Sequence, residues 1–458
     1  MNISLKKTCQ WFFAITFGLP LCAYIALIII NLGEQDLSAS SSDKYDNIKQ
    51  WGDNVGDDNA YIYALGFTSA TPMIKGKELA RLIIANDTDW PQMVNEQAKD
   101  KNITVTDSDE LRQICFRRDN KLCKADRKRQ IYYYNSSKAK QLVHDNKELI
   151  ANYQQLITLP TWQEVAIDTN INIYYGQMLS AQRLYLMTVL QKINTVEVQT
   201  TKNLLEMDIR FWRMILSETH HLITKTIAKA AIERHFVSVQ QALLTRTVNE
   251  KLALVPDSWL QQISKAERDF TKPLIGEWAY QQNLHKNIEF YEDEELLVNI
   301  TSMALSPLFK MNNSLNLSSQ YYDIFAQYSL LKYTTMENAV SHLEVEIQQQ
   351  QQCQFKYDAL GFLYNPIGKL ILCFQQPNLA GYVIKIADLE AIRRLTLLSF
   401  ELDVEQYSAE ELKAVVTNSK YNNPYTELPF NYDPDAKTLN FIGFQSDEFT
   451  SDRVIIAL

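Results

Sequence analysis

From Lys7 to Glu34 the chain carries 26 consecutive residues without a charge, and the stretch 11–32 is almost wholly apolar. At about 1.5 Å per residue such a run is long enough to cross a bilayer as a helix, so it predicts a transmembrane anchor. Lys6 and Lys7 precede the run, while Glu34, Asp36, Asp43 and Asp46 follow it. Positive charge is retained on the cytoplasmic side, which predicts a cytoplasmic N-terminus and export of everything after Gly33. A cleaved signal peptide is the alternative, with Ser38-Ala39-Ser40 as its cut, but the length of the run favours retention. Cys9 and Cys22 read as ordinary cysteines of the span, because bulky Leu21 precedes Cys22 where a lipoprotein signal has a small residue.

The chain as a whole, with 46% hydrophobic and 22% charged residues and a net charge of −9, leaves the composition of a globular protein beyond the run. That acidic balance argues against nucleic acid as a partner, since binding it requires counterion-releasing basic surface. Only 12 glycines and 12 prolines occur in 458 residues, too few for a sandwich or barrel full of tight turns, so helices should dominate. The expected architecture is mainly α: an N-terminal transmembrane helix, a helical-hairpin body and a small C-terminal α+β region. Its divisions are residues 1–33 as cytoplasmic stub and anchor, 34–58 as flexible tether, 59–350 as mainly helical periplasmic domain, and 351–458 as α+β subdomain.

Local patterns refine this picture. The aromatic run 60–67 suits a buried strand or short helix, and a helix follows over 77–85. Leu142, Leu149 and Leu156 mark one face of a helix over 136–159, which Pro160 ends. Between Gly176 and Pro256 there is no glycine or proline. Apolar residues recur there at helical spacing, including Leu204, Met207, Phe211 and Ile215, which predicts two or three long helices with a break at 194–197. Further helices are expected over 294–306, 319–331 and 335–350, the last running into the five glutamines of 348–352. Residues 361–374 read as strand, turn at Asn365-Pro366, strand; 379–402 holds a helix, and short strands in a mixed sheet end the chain.

Four cysteines lie beyond the anchor: Cys115, Cys123, Cys353 and Cys373. An even number in an oxidising compartment suggests two bridges, Cys115 with Cys123 and Cys353 with Cys373, the second tying a helix end to a strand. A zinc site is the alternative, although neither pair has C-x-x-C spacing and no histidine is near in sequence. The densest basic cluster comprises Arg117, Arg118, Lys121, Lys124, Arg127, Lys128 and Arg129, followed by Tyr132-Tyr133-Tyr134. It could contact anionic lipid, cell-wall polymer or an acidic protein, or form a solvated stretch.

Six histidines are candidates for acid–base work: His144, His220, His221, His235, His285 and His342. Glu218, His221, Lys225 and Lys229 stand three or four apart and, on one helix, would share a face and line a polar pocket. Asp107-Ser108-Asp109 is similar to the D-x-D element of glycosyltransferases, and an N-cap explains it equally. No H-E-x-x-H, G-x-S-x-G, P-loop or G-x-G-x-x-G motif occurs. No cofactor or metal is expected, and enzymatic activity is not the leading expectation.

Asn59-Ala60-Tyr61 with Leu65-Gly66-Phe67, the spaced Cys115 and Cys123, Asp208-Ile209-Arg210-Phe211-Trp212-Arg213, Tyr364-Asn365-Pro366-Ile367-Gly368-Lys369, and Asn423-Pro424-Tyr425-Thr426 with Pro429-Phe430 together span most of the exported chain. In these the chain resembles an uncharacterised family of Gram-negative inner-membrane-anchored periplasmic proteins. The resemblance implies a periplasmic main domain and no particular reaction. The helix with Pro-Tyr-Thr and a short hairpin is also loosely similar to the globular end of pseudopilins, but the pilin-type amino terminus is missing. The expected role is therefore a single-pass periplasmic binding or scaffold protein with a protein or envelope partner. An immunity protein against a periplasm-delivered toxin, or an envelope enzyme, are the alternatives.

Overall fold

The computed structural model describes residues 12, 14–85, 136–165, 173–193, 195–244, 246–286, 303–336, 339, 342–343, 361–375, 379–403, 406–442 and 453–458. The chain is mainly helical, as its scarcity of glycine and proline predicts, and folds into two compact units. The larger comprises Trp51–Glu277, Phe325–Ser341 and Leu379–Leu458, the smaller Met1–Gln50, Trp278–Ile324 and His342–Asn378.

At the centre of the larger unit, the helix Leu222–Ala242 packs against Tyr175–Gln191, Val198–Glu218 and Ala380–Glu401. The glycine-free stretch breaks where residues give the backbone other partners: at 192–197, at 219–221, and before Thr247, which forms a capping box with Glu250. In Val198–Glu218 the buried stripe is Leu205, Asp208, Ile209, Trp212, Ile215 and Leu216. The expected face is thus rotated, since Leu204 and Met207 are only half-buried. The helix Ala380–Glu401, expected from its leucine and isoleucine spacing, is buried along nearly its whole length.

The aromatic run 60–67 is helical over Ala60–Leu65, with all six residues buried. Asn59 caps it, its side chain accepting from Tyr61 N at 3.0 Å. A Cβ on Gly76 would stand 1.7 Å from Ile62 O, so glycine is what lets the helix Pro72–Ile84 close on this one. The single helix expected over 136–159 is two, Ser137–Asp145 and Lys147–Leu156, parted at Asn146, whose side chain bonds Leu142 O at 2.8 Å. The C-terminal sheet is antiparallel rather than mixed. Strands β1 (Asn431–Asp433), β2 (Thr438–Ile442) and β3 (Arg453–Ala457) run in that order, with Asn431 opposite Asn440 and Leu439 opposite Ile456. The helix Ala409–Asn418 precedes it, opened by a Ser408–Glu411 capping box that the sequence reading passed over.

In the smaller unit the serine-rich segment corrects the expectation of a flexible tether at 34–58. Ser38 caps a helix, Ala39–Lys49, that buries Ser41 and Lys44. Lys44 Nζ lies 2.6 Å from Asp323 Oδ1 and 2.8 Å from both Ser40 Oγ and Ser319 Oγ, on the helix Met311–Ser329. Serines that suggest a linker by composition instead satisfy a buried ammonium. The strand–turn–strand expected at 361–374 is also overturned. Residues Gly361–Leu363 form a 3₁₀ turn and Pro366–Gln375 an α-helix. Asn365 adopts φ 54°, and its side-chain oxygen accepts from Gly368 N at 3.1 Å and Lys310 N at 2.8 Å, which starts a helix where Pro366 fits the first turn. Cys373 accordingly lies on a helix, not on a strand.

No described helix is long and apolar enough to cross a membrane. Within the charge-free run the structure shows a π-helical turn, Ala14–Gly18, followed by the α-helix Leu19–Ile30. The latter's 12 residues cover about 18 Å.

Candidate functional site

The helix Val198–Glu218 shows two chemically distinct faces to the larger unit, and both arise from the Asp208–Arg213 motif. Asp208 and Trp212, one turn apart, point inward; Arg210, Phe211 and Arg213, with Met207 and Met214, line an open cleft of about 740 Å³. Ile157, Leu159 and Pro160 contribute apolar surface to it, and residues 258–267 form the opposite wall.

That wall is fixed by Arg213. Its guanidinium meets Glu267 in a two-pronged ion pair, Nε to Oε1 at 2.5 Å and Nη2 to Oε2 at 2.9 Å. Its remaining donors reach the carbonyls of Ser258, Gln261 and Gln262 at 2.5, 3.2 and 2.8 Å. Glu206 accepts from Ser258 N and Oγ at 3.1 and 2.6 Å. All three charged groups are therefore engaged in building the cleft. Arg210 is placed differently: its side chain is 74% exposed, with Glu206 at 3.9 Å. The cleft thus combines a partly apolar floor, rigid polar walls and one solvent-facing cation.

Behind the cleft lies a buried polar network. His235 Nδ1 donates to Asp208 Oδ2 at 2.6 Å, Gln182 Nε2 donates to the same oxygen at 3.2 Å, and the Tyr153 hydroxyl bonds Oδ1. Trp212 Nε1 donates to Tyr153 Oη at 2.7 Å, closing the network back on the motif. Burial, together with the Asp208 carboxylate, raises the Tyr153 pKa far above its usual value. His235 and Asp208 are both wholly enclosed, and the outer edge of the imidazole faces Trp259, ring centroids 5.5 Å apart. The pair resembles the oriented base of a catalytic triad, yet its setting is an aromatic core rather than a cleft.

A second buried carboxylate holds the turn between the two 21-residue helices. Glu164 accepts from Trp162 Nε1 at 2.8 Å, from His220 N at 3.2 Å and from the Thr219 hydroxyl. Burial pushes its pKa up, but hydrogen bonding at His220 and Thr219 and the nearby His221 outweigh burial and bring it below the ordinary carboxylate value. His220 packs under Trp51 with ring centroids 3.9 Å apart, and Trp51 Nε1 donates to Glu164 O at 2.8 Å.

The polar pocket expected from Glu218, His221, Lys225 and Lys229 does not form, because the helix that would align them is broken at 219–221. Glu218 ends one helix, exposed, and pairs with Lys272 at 2.6 Å. His221 stands at the N-cap position of the next without a side-chain capping bond and faces inward, where burial lowers its pKa despite the nearby Glu164. Lys225 is buried, its Nζ donating to Leu216 O at 2.5 Å and Glu267 O at 2.9 Å, and Lys229 pairs with Glu233. Burial takes the Lys225 pKa from 10.5 down to about 7.

Cys115, Cys123, Cys353, the basic cluster Arg117, Arg118, Lys121, Lys124, Arg127, Lys128 and Arg129, the acidic Asp107 and Asp109, and Tyr132–Tyr134 lie outside the described residues. Among the described residues no group of three or more His, Cys, Asp or Glu could hold a metal ion. The sequence names Asp208 and Arg213 within a motif but announces no role for either, and none for Glu164. The first had a visible signal, an acidic residue within the stripe Leu205, Ile209, Trp212. Comparison with known proteins does not extend the reading: no family model, curated protein or solved structure matches the chain.

Proposed function

We propose that this chain is a single-pass, membrane-anchored binding protein of the bacterial envelope, with its main body in the periplasm, which takes a protein partner in the cleft beside Val198–Glu218. The observation that carries this reading is Arg210, an exposed guanidinium over a partly apolar floor between walls whose own charges are paired. Such a cleft suits a peptide segment that sets apolar side chains on Met207 and Met214 and an acidic group against Arg210.

The anchor reading is supported by the charge-free run 8–33 and by the Leu19–Ile30 helix, none of whose residues is buried although all of them are apolar or aromatic. A helix apolar all round requires an apolar surrounding. The even number of cysteines beyond the anchor fits an oxidising compartment, and we assign Cys373 to a bridge with Cys353 on that ground.

The test is affinity capture of the full chain from native membranes beside the Arg210→Glu variant. The expected result is a stoichiometric partner that the variant loses at least tenfold while its unfolding transition stays unchanged. A partner bound equally by both proteins, or none by either, would overturn the cleft as the binding site. The partner's identity then separates a scaffold from an immunity protein against a delivered toxin.

A further inference from the structure

The apolar surface of the smaller unit does not stop at the Leu19–Ile30 helix. Tyr24 Oη donates to Ala304 O at 2.7 Å, and Asn31 is tied on both sides of its amide, Nδ2 to Leu363 O at 2.8 Å and Oδ1 from Asn365 N at 2.7 Å. Although it ends an exposed apolar helix, Asn31 is only 1% exposed. Two further segments are therefore bound against this helix, 303–308 and the start of Pro366–Gln375.

Both carry unpartnered apolar side chains. Met303 is 76% and Phe374 87% exposed, among the most exposed large apolar residues described. On Pro366–Gln375, Ile367, Leu370 and Ile371 are half-exposed and join Phe374 at spacings of three and four, a continuous stripe. The opposite face is turned to protein, with Leu372 buried and a Cβ on Gly368 reaching within 2.1 Å of Ser314 Oγ. Lys369, the one charge of this helix, is folded away, its Nζ donating to Gly361 O at 2.5 Å.

Depth follows from the bonds. Tyr24 stands seven residues before Asn31, about 10 Å along the helix axis. Lipid that covers Ile25, 48% exposed, therefore reaches the level at which Ala304 is bound, with Met303 beside it. With the membrane surface set at Asn31, the first polar residue after the helix, that distance matches the 5–10 Å to which interfacial amphipathic segments sink.

We propose that the smaller unit is seated in the outer leaflet of its membrane, with Met303 and the Ile367–Leu370–Ile371–Phe374 stripe immersed in lipid beside the span. This rests on the anchor reading and adds to it a monotopic contact that fixes the unit against the bilayer rather than leaving it on a tether.

The experiment places the photoreactive residue p-benzoylphenylalanine at Leu21, Met303, Phe374 or Leu428, one at a time, in the full chain reconstituted in vesicles of phosphatidylethanolamine and phosphatidylglycerol. After irradiation, covalent lipid adducts are counted by mass spectrometry. The expected result is adduct at positions 21, 303 and 374, at least fivefold above position 428. Adduct at 21 with none above the 428 level at 303 and 374 overturns the immersion and leaves the anchor standing. No adduct at 21 removes the anchor and the immersion together.

Discussion

Asp208 and His235 meet across the interface of two long helices at 2.6 Å with no part of either side chain exposed. The pair also anchors Tyr153 and Gln182, so four elements of the core are tied through one carboxylate. Removing one partner of a buried charge-bearing network leaves the others desolvated and unmatched. Asp208→Ala should therefore lower the unfolding free energy by about 3–5 kcal/mol. Urea titration followed by tryptophan fluorescence measures this directly; a loss below about 1 kcal/mol would mean that the network holds nothing together.

The crossing of Thr271–Lys286 over the turn at 219–221 leaves no room for a side chain at Gly276, where a Cβ would stand 1.8 Å from His220 O. The obstacle is backbone, which cannot swing aside. Gly276→Ala should cost about 1–3 kcal/mol despite the higher helix propensity of alanine, in the range of overpacked sites. Gly381→Ala, where nothing lies within 4 Å of the added carbon, is the control and should be neutral or slightly stabilising in the same thermal scan.

Lys225 predicts a pH dependence of definite sign. Its pKa falls from 10.5 unfolded to about 7 folded, so between these values the unfolded chain binds more protons. This group's contribution to stability accordingly rises as pH increases through that window and is flat below it. A neutral amine has two N–H groups, and two carbonyls receive them, those of Leu216 and Glu267. Stability relative to Lys225→Met should improve steadily from pH 7 to pH 9.5, read as the difference between the urea midpoints of the two proteins. A difference that stays constant over this range would contradict the assignment.

Lys44 offers a proteolytic test of the 39–49 helix. Its ammonium is buried against Asp323, Ser40 and Ser319, so trypsin should leave the bond after Lys44 intact in the native protein. Asp323→Ala should expose it, with cleavage at least tenfold faster. Equal cleavage in both proteins would restore the reading of this segment as a linker.

The helical character of the chain was legible because glycine and proline are scarce and apolar residues recur at helical spacing over long stretches. Its chemistry was less so. Glu218, His221 and Lys225 have the spacing of neighbours on a helix, but Glu164, more than fifty residues away in sequence, draws Thr219 and His220 out of helical geometry and separates them. Arg213 and Glu267 lie 54 residues apart, and no local pattern announces their pairing. Ser38, Ser40 and Ser41 have the composition of a linker; tertiary contacts, the Lys44–Asp323 ion pair with the bonds of Ser38 N to Asn316 and of Ser40 Oγ to Ser319 and Asp323, make them a packed helix. At 361–374 a short apolar run fits strand and helix equally, and the left-handed Asn365 that decides between them is a single-residue event.

Glu34 accepts from the backbone amides of Asn312 and Asn313, at 3.0 and 3.4 Å, just upstream of the packed Ser38–Lys49 segment. Anyone removing the apolar run from this chain would be drawn to trim back to the aromatic segment that opens at Asn59. That cut would strip Asp323 of its counter-charge and leave the opening turn of Met311–Ser329 without its carboxylate cap. A start just ahead of Glu34 discards the apolar run and, with it, the Asn31 bonds to Leu363 and Asn365, while keeping the seam from Glu34 to Lys49.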